Sequence, residues 1–193
     1  MQYATKPIAK KHWDPVVRVS HWSLGLFFTC AYWTGGDSYG LHAHFGYCIL
    51  LVVLLRLAWG FRGPEISQFA DFLNSPKQVF AYLRNLAKTP LSNPVGHDPV
   101  GGWMIIALLI SLCITTISGI VLFAMEGRGP LAHTFFPNVT SWSGTAVETI
   151  HNFMSDLCVI LICIHVAGVV VMSVYTRQNL IRAMITGSLK ERR

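Results

Sequence analysis

His151 and His165 stand fourteen residues apart in the stretch ETIHNFMSDLCVILICIHVAGVVVMSVY. On a helix, fourteen steps of 100° end about 40° short of four full turns, so both imidazoles leave the same face. A rise of about 1.5 Å per residue separates them by roughly 21 Å, most of the hydrocarbon thickness of a bilayer. Neutral imidazole binds iron, copper and zinc, and an ionisable side chain inside an apolar span is costly enough to point to function. The plainer reading, satisfied histidines in a helix bundle, suits one such residue better than two at this spacing.

The elements that must carry these rings are membrane helices. Of 193 residues 52% are hydrophobic and only 12% charged, with a mean hydropathy of +0.47. That excludes an ordinary soluble domain and favours one membrane domain over residues 1–193. Four apolar runs, Val16–Trp33, His44–Phe61, Gly102–Phe123 and Ile150–Tyr175, each suffice to cross a core of about 30 Å. They predict an all-α integral membrane four-helix bundle with spans near 16–35, 42–61, 101–123 and 149–175. Asp14-Pro15 supplies a cap and a first-position proline for the first span. Gly35-Gly36 makes its connection to the second very short, so these two are antiparallel neighbours. Ser75-Pro76 followed by Val79, Phe80, Leu83 and Leu86 predicts a short amphipathic helix on the cytoplasmic leaflet. The outer segment of about 125–147, with Pro130, Pro137, Phe135, Phe136 and Trp142, reads as irregular. No cleavable leader pattern opens the chain, so the first span is expected to act as an uncleaved anchor.

Charge sets the orientation. Lys6, Lys10, Lys11 and Arg18 precede the first span, Arg62, Lys77, Arg84 and Lys88 follow the second, and Arg177, Arg182, Lys190, Arg192 and Arg193 follow the fourth. Against these thirteen, the other side carries Arg128 alone, which places both termini and the 62–100 loop in the cytoplasm. The net charge of +6 therefore reflects topology and attraction to anionic lipid, not a nucleic-acid footprint. Cysteines 30, 48, 113, 158 and 163 all lie in apolar runs with no C-x-x-C-H among them, so they read as packing residues without disulfides or covalent haem attachment. The lone N-x-T at Asn138–Thr140 is a common chance match.

With that orientation the histidines sort by depth. His21 falls in the inner half of the first span, His151 near the outer end of the fourth, and His165 deeper toward the inside. The second span offers His42 and His44, about 200° apart on a helix, so they cannot both face the interior. His42 shares its face with Gly46, Ile49, Val53, Arg56 and Gly60; His44 shares one with Cys48, Leu51, Leu55 and Ala58. A guanidinium facing lipid mid-span is expensive, so the Arg56 face, and His42 with it, should point inward. Depth then pairs His42 with His151 outside and His21 with His165 inside. Zinc usually takes four ligands at one centre, whereas two ligands on different helices suit the axial positions of a planar haem. Gly46 after His42, Gly25 after His21 and Gly168 after His165 leave room for a flat macrocycle. Arg56 and Arg18 are propionate candidates at the inner depth. His97, in GHDPVGG at the mouth of the third span, could cap that helix or touch a quinone headgroup. His12 and His133 read as solvated, and the third span, without histidine, as scaffold.

These residues resemble the bacterial cytochrome b561 family, which includes the b-type cytochrome subunits of nickel–iron hydrogenases. The similar stretches are WDPVVRVSHW, LHAHFGYCILLVVLLRLAWGFRGP, GHDPVGG, TIHNF with IHVAGV, and RQNLIRAMITG, in order and over most of the chain. The resemblance implies a multi-pass protein of the bacterial inner membrane with two non-covalent b haems, ligated at His21, His42, His151 and His165. It also implies electron transfer between the quinone pool and a redox partner such as a c-type cytochrome. Two other classes compete with a simple carrier: a quinone-linked oxidoreductase acting on a small substrate such as superoxide, and a haem-bearing anchor subunit of a hydrogenase or dehydrogenase. The outer side carries Arg128 and His133 against Asp37, Glu126 and Glu148, which gives an anionic substrate no steering.

Overall fold

A computed structural model describes residues 14–36, 39–86, 99–132 and 141–188. The described residues form helices and no β-strand: α1 (Pro15–Thr34), α2 (Tyr39–Arg62), a 3-10 turn (Glu65–Ser67), α3 (Phe69–Phe72), α4 (Pro76–Leu86), α5 (Pro99–Met125), α6 (Ser141–Tyr175) and α7 (Leu180–Thr186). Three of them are long and apolar enough to cross a membrane: Gly40–Arg62, Val100–Met125 and Ser143–Tyr175. The 20 residues of α1 reach about 30 Å, but its composition is less apolar. Its hydroxyls are satisfied inside the helix: Ser20 Oγ donates to the Val17 carbonyl at 3.0 Å, Thr29 Oγ1 to Gly25 at 2.8 Å and Thr34 Oγ1 to Cys30 at 2.8 Å.

Helices α1 and α2 pack along one another, α2 against α5, and α5 against α6. Where they meet, Ala31, Ile49, Val53, Leu112 and Cys158 form the buried core. Leu51, Leu54, Leu55, Ile160 and Ile164 point outward. In lipid this costs nothing, because acyl chains are as apolar as leucine and helices associate through close packing and hydrogen bonds. Buried Ser111, Thr115, Thr116 and Ser118 on α5 supply small side chains of that kind.

Two elements differ from the sequence expectation. Helix α6 begins at Ser141, about two turns before the apolar run, so the outer segment is helical from 141 onward and not irregular through 147. At 35 residues it is roughly 52 Å long, more than a bilayer core needs. Hydroxyl residues at its start bond within the helix, as Thr149 Oγ1 does to the Thr145 carbonyl at 2.8 Å. Helix α7 was not anticipated. Asn179 caps it by accepting from the Arg182 N–H at 2.8 Å, and Gly187 ends it at φ 80°, where only glycine is unstrained. The α4 start does follow its expected cap: Ser75 and Gln78 bond each other reciprocally, at 2.8 Å and 3.4 Å.

One end of the bundle is tied together by Asp14. One carboxylate oxygen accepts from Val16 N at 2.7 Å and Val17 N at 3.3 Å, and the other from Trp59 Nε1 at 3.1 Å and Ser67 Oγ at 3.0 Å. Burial pushes its pKa up, but these hydrogen bonds outweigh that and hold it below the ordinary 3.8. The ionised form is thus favoured in the fold. Its stabilisation is present above the unfolded pKa and is lost as pH falls through the lowered folded value. Asp14→Ala is expected to lower stability by about 1–2 kcal/mol at neutral pH, read as loss of helical circular dichroism on heating in detergent micelles. Asp14→Asn should keep part of the cap and remove this acid-sensitive component. An Asn variant with the same acid dependence as the native chain would refute the assignment.

Candidate functional site

The four span histidines meet in two couples. His21 of α1 and His165 of α6 have ring centroids 6.1 Å apart, and His42 of α2 and His151 of α6 have theirs 5.9 Å apart. Along α6 the fourteen-residue offset separates the couples by about 21 Å. His44 is exposed on the far side of α2, its Nδ1 at 2.5 Å from the Gly40 carbonyl of its own helix. The His42 face continues through Ile49, Val53 and Arg56, which are 3%, 0% and 6% exposed, whereas Leu51 and Leu55 on the His44 face are 59% and 58% exposed. The interior is on the His42 side.

Hydrogen bonding fixes which nitrogen each ring of the His42–His151 couple offers. His42 Nδ1 lies 2.8 Å from the Ala31 carbonyl and His151 Nδ1 lies 2.9 Å from the Thr115 carbonyl. A carbonyl only accepts, so Nδ1 carries the proton in both rings and Nε2 keeps its lone pair. Ala31 is in the last turn of α1, where carbonyls lack a full set of helical donors, and His42 satisfies one of them. Thr115 lies mid-helix, and its carbonyl is reachable because Gly119, one turn on, has no side chain. A Cβ there would sit 2.8 Å from His151 Cε1 and 3.1 Å from Nδ1.

The spacing of the couples can be set against what they could hold. Two metal–nitrogen bonds of about 2 Å each plus the half-widths of two imidazoles span about 6 Å. Two imidazoles hydrogen-bonded directly would bring their centroids to about 5 Å. Separations of 6.1 and 5.9 Å match the first. Ring planes inclined by 56° and 83° are both acceptable, since either ring can turn about the shared bond axis. A methyl group added to Gly25, Gly46 or Gly168 would meet no heavy atom within 4 Å, so the surfaces beside His21, His42 and His165 stay flat. Among the described residues no three histidine, cysteine or acidic side chains converge as a metal cluster. Each couple therefore offers two ligands at a separation that would suit a haem held between two histidines, and not a four-ligand zinc centre.

Both arginines make protein contacts. Arg56 NH1 donates to the Ser67 carbonyl at 3.5 Å and its guanidinium lies over the Phe69 ring at 5.3 Å. Arg18 Nε donates to the Met184 carbonyl at 3.2 Å, and its NH2 to the Ile185 carbonyl, a cation at the C-terminal end of α7. Trp22 reaches the same Met184 carbonyl at 3.4 Å, so α7 is fastened beside His21. His97, His12 and His133 lie outside the described residues. Helix α5 is more than scaffold, because Thr115, Ser118 and Gly119 contact His151. The sequence signal for this was the polar run T-T-I-S-G at 115–119 inside an otherwise apolar span.

Comparison with curated proteins and with solved structures returned no match. The profile of the prokaryotic cytochrome b561 family matches residues 12–187, a stretch that holds both histidine couples. The chain belongs to that family of bacterial membrane b-type cytochromes, which bind haem b and transfer electrons.

Proposed function

We propose that this protein is a four-span carrier that moves electrons across the membrane through two b haems. His42 and His151 ligate the outer one and His21 and His165 the inner one, and the carrier links the quinone pool to an external redox protein. The observation that carries the reading is the pair of imidazole couples, each about 6 Å across and on a common stripe of α6. Haem b, when bound, would supply a one-electron couple. The chain's own residues do the rest. The carbonyls of Ala31 and Thr115 hold the outer pair of imidazoles in one tautomer, with Nε2 lone pairs to offer. Val53 and Cys158, both 0% exposed, keep the layer between the couples dry. Arg18 and Arg56 bring positive charge toward the inner couple. A guanidinium has five donors, and the protein contacts above use only some of them, leaving others for propionates.

In the proposed orientation both termini and α4 face the cytoplasm. Helix α4 lies against the anionic leaflet, with exposed Phe80 between Lys77 and Arg84. The reading is tested by a redox difference spectrum together with haem extraction. The expected result is two low-spin b haems per chain, both removed by acidic organic solvent because no attachment motif is present. One haem per chain, or a high-spin spectrum, would refute the two-couple assignment.

A further inference from the structure

The two couples are not built alike. Each outer ring has its Nδ1–H on a backbone carbonyl, Ala31 for His42 at 2.8 Å and Thr115 for His151 at 2.9 Å. Among the described residues neither inner ring has a hydrogen-bond partner. His21 instead meets the edge of Trp22 at 5.4 Å, and His165 meets His21. A ligating imidazole that donates its second N–H to an oxygen becomes more electron-rich, and such partners tune the metal as well as orient the ring. The richer ligand favours ferric over ferrous iron. Charge acts in the same direction: Arg18 lies one turn from His21, and Arg56, fourteen residues beyond His42, is near the inner depth. Positive charge there favours the form that has gained an electron.

Resting on the two-haem reading above, we infer that Gly119 is a positioning residue. By leaving the Thr115 carbonyl open to His151, it sets the reduction potential of the outer haem below that of the inner one. The Ser118 hydroxyl lies 3.4 Å from the same Nδ1 and 3.0 Å from the same carbonyl, so the ring is held at a point where α5 offers only polar atoms. A side chain at 119 would crowd the ring, its Cβ 2.8 Å from His151 Cε1 and 3.1 Å from Nδ1. Gly35 makes the contrast. A Cβ there would lie 3.5 Å from His42 Nδ1 and 3.6 Å from Cε1, ordinary contact, at a helical φ of −63°.

The potential order makes electron flow from the outer to the inner haem the downhill direction. It also makes α5, the long span without a histidine, the one that biases the carrier. The experiment is a potentiometric titration of the purified protein, following the ferric–ferrous absorbance change as each haem takes up one electron. Native protein should titrate in two components. Gly119→Ala should raise the lower one by at least tenfold in its reduction equilibrium, about 59 mV for a one-electron couple, with a changed low-spin electron paramagnetic resonance signal. The upper component should stay in place, and Gly35→Ala should move neither.

Assignment comes from single-haem variants: the component kept in His165→Ala should be the lower one, and that kept in His151→Ala the upper. Should Gly119→Ala lose its outer haem outright, these two variants still test the order. A Gly119→Ala protein with both components unmoved, a shift confined to the upper one, or an outer haem that titrates higher would overturn the inference. Haem content is measured before any titration, and a ratio of one or less would overturn the two-haem reading itself.

Discussion

On the two-haem proposal, His151→Ala is expected to leave one haem per chain, and the haem lost is the proposed outer one. His165→Ala should lose the inner one instead. The argument is one of magnitude. Removing a partner that merely orients a ligating histidine weakens a metal site by about 10- to 100-fold, so deleting the histidine should exceed the upper end of that range. Cofactor binding to the folded state stabilises it by mass action, so each variant should also unfold more readily than the native chain. His44→Ala is the control. That ring is exposed and bonds only its own helix, so both haems should remain. The measurement is haem per chain with a redox difference spectrum for each variant. Loss of both haems from either single substitution, or loss of one from His44→Ala, would contradict the pairing.

Much of this site could be read from the sequence because it depends on two regular quantities, angle and depth along a helix. His151 and His165 share a face by periodicity alone, and Arg56 chose His42 over His44 because the cost of a lipid-facing charge has one sign. Apolar runs located α2, α5 and most of α6 for the same reason. What could not be read depends on backbone atoms and on missing side chains. The Thr115 carbonyl has no letter of its own, and Gly119 acts by what it lacks, so α5 looked inert. Helix α7 escaped notice because its seven residues are too few for an apolar period. Its position comes from Arg18 and Trp22, which lie more than 160 residues away. The early start of α6 was hidden for a related reason: a helix leaving the bilayer changes composition without changing conformation.

Electron exchange with an external protein should be fast at low salt and slow about three- to tenfold as ionic strength rises to the physiological range. Two features lead there. A haem held by two imidazoles, as proposed, would leave no open metal site, which suits a docking partner better than a small molecule that must bind iron. The face proposed as external is also mildly acidic. Glu126 and Glu148 are exposed there with Arg128, and Asp37 belongs to the same side of the sequence, outside the described residues. Such a surface attracts a basic patch and repels anions. The attraction acts across solvent, so it is screened beyond about 8–10 Å at physiological ionic strength, and the effect belongs to the association step. Stopped-flow oxidation of the dithionite-reduced protein by a basic c-type cytochrome, at a series of salt concentrations, measures this directly. Glu126→Gln with Glu148→Gln should flatten the salt dependence while leaving the spectrum of both haems unchanged, because neither carboxylate lies on a histidine couple. A rate that rises with salt would remove the acidic face as a docking surface. Superoxide reacting faster than every protein acceptor would make the outer haem edge the site of an oxidoreductase, with the same four histidines serving a different electron donor.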